Sequence, residues 1–284
     1  MIVWIASYPK SGNTFLRILL AEYLYGDFST RYNFSSLSKI EMFPNLFKLL
    51  KLHEQGVINH IQELKSVKFL HKYSLYLQNK LFLNGTHFLK THSINFNIND
   101  YQFTNSSITS CAIYLVRDPR NVLYSYSDFS NQSVEKTADD MKSEIITQQF
   151  YNNEWYPTCH IGSWRSNYLS WIKSQMYFPV KIVKFEDLVT KPREVFFDVL
   201  VFLNQYAGVA IDIQRLNSTI ERAEFNSLKQ LEDQGLFKEA SVVNKNNKFF
   251  NLGKNRDWKN IQNFEQYLNQ INAEFKNEME LLGY

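Results

Sequence analysis

The sequence predicts a single α/β domain, spanning residues 1–284, in which a central parallel sheet is flanked by helices. Short runs with strand character at residues 2–6, 111–116 and 180–184 alternate along the chain with longer segments of helical periodicity. Residues 111–116 are continuously apolar, as strands are when helices cover both faces of a parallel sheet. No internal repeat, low-complexity tract or obvious linker interrupts this alternation, which favours one domain.

The beginning of the chain is predicted to run from a strand through a tight loop into a helix. The apolar run of residues 2–6 is ended by a turn that contains Pro9, and apolar residues recur at helical spacing from Asn13 onward. Residues 37–81 follow a mostly helical pattern with an interruption in the middle. Residues 87–90 fit a further short strand.

The second half of the chain continues the alternation of strands and helices. Pro119 suits the first turn of a helix over residues 120–129, directly after the apolar strand. Two polar segments are expected to be irregular, the first of them as a lid or an insertion, and they cover residues 130–157 and 244–259. Further helices are predicted over residues 161–176, 191–206 and 264–282.

Composition and charge exclude several broad classes of protein. With 31 Lys and Arg against 28 Asp and Glu, the net charge of +3 gives no electrostatic footprint for a general nucleic-acid binder. No apolar run reaches the ~18 residues of a membrane span, and the first one stops too early for a signal peptide. The two cysteines, Cys111 and Cys159, cannot staple a secreted scaffold. We therefore expect a cytoplasmic protein with reduced thiols, no membrane span and no nucleic-acid partner.

The loop between the first strand and the first helix carries the groups of a phosphate cradle. Gly12 allows a close approach of the backbone, Lys10 adds a positive charge on a flexible stem, and Ser11 and Thr14 add hydroxyl donors. Backbone N–H groups at a helix N-terminus, together with the macrodipole, favour a bound anion. The order Lys-Ser-Gly differs from a Walker A loop, in which a glycine precedes Lys-Ser/Thr. A turn capped by Ser11 or Asn13 is the alternative interpretation.

This loop, with the sequence YPKSGNTF, resembles the 5′-phosphosulfate-binding loop of the cytosolic-type sulfotransferases. Their sulfuryl donor is 3′-phosphoadenosine 5′-phosphosulfate (PAPS), and 3′,5′-adenosine bisphosphate (PAP) is the product. The family form of the loop is Y-P-K-S-G-T-T-W, so Asn13 and Phe15 are mild departures from it. The resemblance implies a P-loop-like sulfotransferase fold.

The resemblance continues at RDPRNVLYSY, which follows the strand at residues 111–116. In the family an arginine and, eight residues later, a serine hold the 3′-phosphate of the donor, and Arg117 and Ser125 keep that spacing. An arginine offers a phosphate two parallel hydrogen bonds, so the residue type suits the task. Taken alone, Arg117 is better explained by an ion pair with Asp118 or Glu186.

Lys90-Thr91-His92, at the end of a predicted strand, matches the K-T-H of the family, whose histidine is the catalytic base. A neutral imidazole can take a proton from the acceptor near pH 7 without a large change of its pKa. The other five histidines lie in no such motif, and no Cys/His cluster has the spacing of a zinc site.

Three later segments complete the resemblance. Phe185 begins FEDL, which resembles the Y-E-D-L of the family and supplies a flat ring near the adenine without the tyrosine hydroxyl. Phe225 resembles the residue that supplies a second aromatic ring there. The stretch NLGKNRDWK resembles the closing R-K-G-x-x-G-D-W-K, with Gly253 in its place and the leading Arg-Lys missing. Lys254 or Arg256 would then supply the missing charge.

The resemblance implies in-line transfer of a sulfuryl group from PAPS to a hydroxyl or amine of a small-molecule acceptor, with no metal required. In this scheme His92 takes the acceptor proton, Lys10 stabilises charge on the bridging oxygen, and Lys90 helps to hold the sulfuryl oxygens. The implied donor-binding residues are Lys10, Ser11, Gly12, Asn13, Thr14, Phe15, Arg117, Ser125, Phe185, Phe225, Gly253, Lys254 and Arg256.

Two other functions are compatible with parts of this pattern. A P-loop kinase or NTPase would use Lys10 and Ser11 on the phosphates of ATP, and Asp118 on a water bound to Mg²⁺. A non-catalytic nucleotide-binding module would accommodate the loss of the Arg-Lys pair. For a sulfotransferase, the sequence is compatible with alcohol, phenol, amine and carbamoyl nitrogen acceptors. No segment clearly matches the family's C-terminal dimerisation segment.

Overall fold

A parallel sheet of five strands forms the centre of the computed structural model, which describes residues 1–56, 64–82, 84–151, 153–237, 239, 248–250, 258–260 and 265–284. The strands of the described chain are β1 (Ile2–Ser7), β2 (Glu41–Met42), β3 (His87–Thr91), β4 (Asn97–Ile98), β5 (Tyr101–Gln102), β6 (Thr109–Val116), β7 (Ile146–Tyr151), β8 (Glu154–His160) and β9 (Val180–Lys184). The central sheet has the order β2-β3-β1-β6-β9, and two antiparallel pairs, β4-β5 and β7-β8, lie outside it.

Helices flank this sheet. The α-helices of the described residues are α1 (Asn13–Tyr25), α2 (Leu46–Glu54), α3 (Val67–Leu81), α4 (Pro119–Ser130), α5 (Val134–Lys142), α6 (Trp164–Lys173), α7 (Phe185–Thr190), α8 (Pro192–Ala207), α9 (Ile213–Arg222), α10 (Phe225–Asp233), α11 (Glu265–Glu274) and α12 (Lys276–Leu282). None of these helices is long and apolar enough to span a membrane.

The central strand β1 explains why the core has two halves. All of its residues are buried, and successive side chains of a strand point to opposite faces of the sheet. Trp4 belongs to the hydrophobic cluster on one face, whereas Val3 and Ile5 belong to the cluster on the other. The predicted single α/β fold with a parallel sheet is therefore confirmed, and its strands are apolar because helices cover both faces.

The parallel arrangement brings the carboxyl ends of β1, β3, β6 and β9 to one edge of the sheet. In the register of the sheet, Ala6 of β1 pairs with Thr91 of β3 and with Tyr114 of β6. The loop before α1 follows β1. The residues that directly follow β3, β6 and β9 are His92, Arg117 and Phe185, respectively. Ligands of open parallel sheets bind outside this edge, which makes it the place to look for a functional site.

Three sequence predictions differ from the structure. The segment predicted to be an irregular lid, residues 130–157, contains α5 and the β7-β8 hairpin. The polar Gln148 and Gln149 interrupt the apolar pattern of β7, so the sequence does not show that this strand is half-buried. The mostly helical segment predicted over residues 37–81 includes the short strand β2. The closing helix is two helices, because the chain turns at the fully buried Phe275, which contacts Trp164 with ring centroids 5.0 Å apart.

Candidate active site

The loop before α1 has the backbone shape of an anion cradle. Gly12 begins the helix in a left-handed conformation, with φ 92° and ψ 10°, and no side chain caps the helix there. The Ser11 hydroxyl is buried and has no hydrogen-bond partner among the described residues. The Asn13 side chain donates instead to the carbonyl of Ile5 at 3.0 Å and to the Ser7 hydroxyl at 3.1 Å. The interpretation of a turn capped by Ser11 or Asn13 is therefore wrong, and the residues fit a bound phosphate.

A second polar position lies where β6 ends and α4 begins. The buried Arg117 donates from Nη1 to the carbonyl oxygen of Lys10 at 3.0 Å, and its guanidinium lies 4.7 Å from the centre of the Phe185 ring. Asp118 is bound by Arg120, which donates to both carboxylate oxygens at 2.7 to 3.1 Å. Arg117 therefore joins the first loop to Phe185, while Asp118 serves the next arginine along the chain.

Two further contacts explain the surroundings of this second position. Glu186 accepts hydrogen bonds from the backbone N–H of Asp118 and from the Tyr284 hydroxyl, both at 3.0 Å, so its carboxylate has a structural role. The ring of Trp258 lies 4.3 Å from the Arg120 guanidinium, which places the described end of the predicted closing segment beside the start of α4. The predicted donor-binding residues Gly253, Lys254 and Arg256 lie outside the described residues.

The ammonium of Lys10 lies between two aromatic rings. Its Nζ is 4.0 Å from the ring centre of Phe129 and 4.8 Å from that of Phe249. Attraction of this kind between a cation and a ring is worth about 0.5–2 kcal/mol. The backbone N–H groups of Phe249 and Phe250 donate to the carboxylate of Glu232 at 2.6 and 2.8 Å, and this holds the second ring in place.

His92 is held by the end of β1. Its Nδ1 lies 2.8 Å from the backbone carbonyl oxygen of Ser7, and a carbonyl only accepts hydrogen bonds, so Nδ1 carries the proton and Nε2 has the lone pair. Burial, together with the neighbouring Lys90 ammonium, lowers the pKa of His92 to about 3. The expectation of a histidine with an unchanged pKa is therefore wrong for the protein without its substrates. The neutral imidazole is nevertheless in the tautomer that can accept a proton at Nε2.

Lys90, near the end of β3, is a charged neighbour of His92. Burial and then the guanidinium of Arg17 lower the pKa of Lys90 to about 8, whereas the carboxylate of Glu239 acts in the opposite direction. Lys90 is therefore mostly a cation at neutral pH. The charges of Arg17 and Glu239 together set the higher pH at which it loses its proton.

One cavity of about 980 Å³ joins these groups. The predicted site residues that line it are Lys10, Gly12, Asn13, Thr14, Phe15, Lys90, His92, Arg117, Ser125, Phe185 and Phe225. Ser11 is not part of this lining; it is buried, and its hydroxyl lacks a hydrogen-bond partner among the described residues. The fold thus assembles residues from both halves of the chain at one place, as expected for a ligand site at the carboxyl edge of a parallel sheet.

Several cavity residues were missed by sequence reasoning. Arg17 and Glu239, together with the rings of Tyr126, Phe129 and Phe249, line the same cavity. A signal for Arg17 exists in the sequence, because it is a charge inside the apolar stretch of α1 and a buried charge needs a partner. The aromatic rings carry no such signal, since most aromatic residues at these spacings lie in a core.

Comparisons with known proteins identify the family and the fold of the chain. The chain matches the family model described as the sulfotransferase domain over residues 2–283. Mouse sulfotransferase SULT7A1, solved in complex with PAP, has a similar fold with a TM-score of 0.58 at 15% identity, covering 98% of this chain and 84% of that one. No curated protein matches the sequence.

Retinol dehydratase is a second similar solved protein. Its complex with retinol and PAP has a TM-score of 0.57 at 15% identity and covers 98% of this chain and 81% of that one. Its complex with androsterone and PAP gives 0.54 at 14% identity, covering 98% and 80%. At these identities the structures establish the fold, and the family follows from the match along almost the whole sequence. The chain therefore belongs to the sulfotransferase domain family.

Proposed function

We propose that this protein transfers the sulfuryl group of PAPS to a hydroxyl or an amine of a small-molecule acceptor. The observation that carries the proposal is that two anion positions and a proton acceptor share one cavity. The start of α1 is the first position, and Arg117 with Ser125 is the second, while His92 lines the same space. An adenosine nucleotide with phosphates at both ends requires two such positions.

The residues present fit the donor. The buried Ser11 hydroxyl lacks a partner among the described residues and the start of α1 is uncapped, and both deficits would be met by a 5′-phosphate. Arg117 and Ser125 would hold the 3′-phosphate, and Phe15, Phe185 and Phe225 offer rings for the adenine. PAP in the complexes of SULT7A1 and retinol dehydratase supports the same choice of nucleotide.

The chain's own residues have separate tasks in this reaction. The bound donor supplies an activated sulfuryl group. His92 takes the acceptor proton at Nε2, while Ser7 fixes the tautomer through Nδ1. Lys90 contributes positive charge for the sulfuryl oxygens, and Lys10 for the bridging oxygen. Positioning and charge stabilisation are the main contributions of a protein to such a group transfer.

The low pKa of His92 is compatible with this task once the donor is bound. Lys90, Arg17 and Lys10 each lower the pKa of His92 in the protein alone. A polyanionic donor brings opposite charges into the same cavity, and nearby negative charge favours the protonated imidazole. We therefore expect donor binding to make His92 a stronger base at the time when a base is needed.

A kinase or NTPase reaction has less support. In that interpretation Asp118 would face a water on Mg²⁺, yet its carboxylate is already bound by the fork of Arg120 and caps the start of α4. A non-catalytic nucleotide-binding module leaves unexplained why His92 and Lys90 line the nucleotide cavity.

A small organic acceptor suits the remaining walls of the cavity, which carry the rings of Tyr126, Phe129, Phe249 and Phe250. A cytoplasmic location is supported by the two buried free thiols, Cys111 and Cys159.

The proposal is tested by incubating the protein with ³⁵S-labelled PAPS and a panel of phenols, alcohols and amines. We expect the label to move to at least one acceptor in the absence of Mg²⁺ and ATP, and His92→Ala to abolish this transfer. PAP binding with no labelled product across all acceptor classes would favour the non-catalytic module. Turnover that requires ATP and Mg²⁺ would favour the kinase.

A further inference from the structure

A buried arginine lies on α1, about one helical turn beyond the phosphate loop. The side chain of Arg17 is 4% exposed and is surrounded along the helix by apolar residues. Its guanidinium donates to the two carboxylate oxygens of Glu239, at 2.8 and 3.0 Å. It also donates to the carbonyl oxygens of Leu37 and Ile40, at 3.4 and 2.7 Å. A two-pronged pair of this kind is the strong form of an arginine–carboxylate contact.

Arg17 and Glu239 share the cavity wall with Lys90. The Glu239 side chain is 38% exposed, and Glu239 is part of the cavity lining. Burial by itself would raise the pKa of Glu239, yet Arg17 and, to a smaller extent, Lys90 lower it, which keeps the carboxylate ionised. Two cations thus compete for one negative charge, and Arg17 holds it.

The competition matters because the two cations are not equivalent. A guanidinium presents a rigid fork that matches both oxygens of a carboxylate, whereas an ammonium is a point charge on a flexible stem. Without the fork, the attraction between Lys90 and Glu239 would be unopposed, and it would be stronger beside a buried ammonium than in bulk water. Lys90 would then be drawn toward the carboxylate.

We propose that Arg17 is a positioning residue that sequesters the Glu239 carboxylate and so leaves the Lys90 ammonium for the sulfuryl oxygens. The inference rests on the proposed function, since the task of Lys90 belongs to it. A purely structural role is the alternative, because the bonds of Arg17 to Leu37 and Ile40 also join α1 to the short 3₁₀ helix at Ser35–Lys39. The two roles differ in whether removal of the Glu239 charge compensates for the loss of Arg17.

The test is an NMR titration of the protein with ¹³C-labelled lysine side chains, in which Lys90 is identified by the signal lost in Lys90→Arg. Among the described residues, the charged groups that act on the pKa of Lys90 are Arg17 and Glu239, and its titratable neighbours are the Cys159 thiol and the His92 imidazole. In Arg17→Met we expect the Lys90 midpoint to rise by about one pH unit or more, since one cation is gone and the carboxylate is unopposed. In Glu239→Gln we expect it to fall.

The double variant Arg17→Met/Glu239→Gln distinguishes the two roles. Sequestration predicts that the double variant recovers the sulfuryl transfer lost in Arg17→Met, with a Lys90 midpoint close to that of the wild-type protein, because both opposing charges are gone. A purely structural role predicts no recovery of transfer, since the bonds of Arg17 to Leu37 and Ile40 remain absent. An unchanged midpoint in Arg17→Met, or a double variant that matches Arg17→Met, overturns the proposal. If Arg17→Met does not fold, an unchanged or raised midpoint in Glu239→Gln overturns it as well.

A calorimetric titration of the wild-type protein with PAP keeps this inference separate from the proposed function. Absence of PAP binding would refute the function on which the role of Lys90 depends. Normal PAP binding, together with a Lys90 midpoint that does not change in Arg17→Met, would refute only the role of Arg17.

Discussion

The ring of Phe185 lies so close to Gly12 that a β-carbon at position 12 would come within 2.1 Å of Phe185 Cδ2. The same ring lies under the guanidinium of Arg117, and Arg117 donates to the carbonyl oxygen of Lys10. An uncharged ring therefore lies between the start of α1 and the Arg117 guanidinium. The contact also makes glycine necessary at position 12 for two independent reasons, the left-handed backbone and the lack of space.

The first prediction concerns Gly12→Ala. A left-handed conformation costs a residue with a β-carbon about 1–2 kcal/mol, and the clash with Phe185 adds to this cost. Gly208→Ala is the matched control, because Gly208 has φ +67° but nothing within 4 Å of an added β-carbon. We expect urea unfolding to show a larger loss of stability for Gly12→Ala than for Gly208→Ala, and calorimetry to show loss of PAP binding only in the former. Equal losses of stability would contradict the contact.

The second prediction concerns Arg117→Met and the 3′-phosphate. Loss of a charge-assisted hydrogen bond costs about 1.5–3 kcal/mol, so the preference for PAP over adenosine 5′-phosphate should fall by about 10- to 100-fold. Arg120→Met is the control, since Arg120 is bound to Asp118 and should leave this preference unchanged. Calorimetric titration of both nucleotides measures the ratio. An unchanged ratio in Arg117→Met would remove Arg117 from the 3′-phosphate position.

The third prediction concerns His92→Ala. Removal of the imidazole should abolish sulfuryl transfer and leave PAP binding nearly unchanged, because the base acts on the acceptor. The matched change His87→Ala should retain transfer, since the His87 imidazole bonds the carbonyl oxygen of Asn84 and does not line the cavity in the described part of the chain. The labelled-PAPS assay and calorimetry measure the two quantities. Transfer at the wild-type rate in His92→Ala would show that another group is the base.

The fourth prediction concerns the protonation of His92. Burial and adjacent cations lower its pKa to about 3, so the imidazole is neutral from pH 5 to pH 8 in the free protein. PAP brings negative charge, which favours the protonated form, so the pKa of His92 must rise on binding. NMR titration of the His92 ring protons with and without PAP measures the change. A pKa that stays the same or falls on binding would contradict the placement of the nucleotide beside His92.

The parts of the site that follow buried strands could be predicted from the sequence. β6 is a continuous apolar run, so its end and the position of Arg117 are well defined. The same holds for β1 and the loop at Gly12. Parallel pairing then places these ends at one edge without any further information.

The parts that depend on distant contacts could not be predicted. Arg17 and Glu239 are 222 residues apart, and no local pattern reports such a pair. Phe249 contacts Lys10 across the sequence, and its backbone N–H donates to the distant Glu232. The low pKa of His92 likewise depends on Lys90 and on burial, which are properties of the folded cavity.

A crystal structure of the protein with PAP tests the placement of the nucleotide. We expect the 5′-phosphate at the start of α1 beside Ser11, and the 3′-phosphate between Arg117 and Ser125. A nucleotide bound outside this cavity, or bound with its two phosphates exchanged, would contradict the central claim.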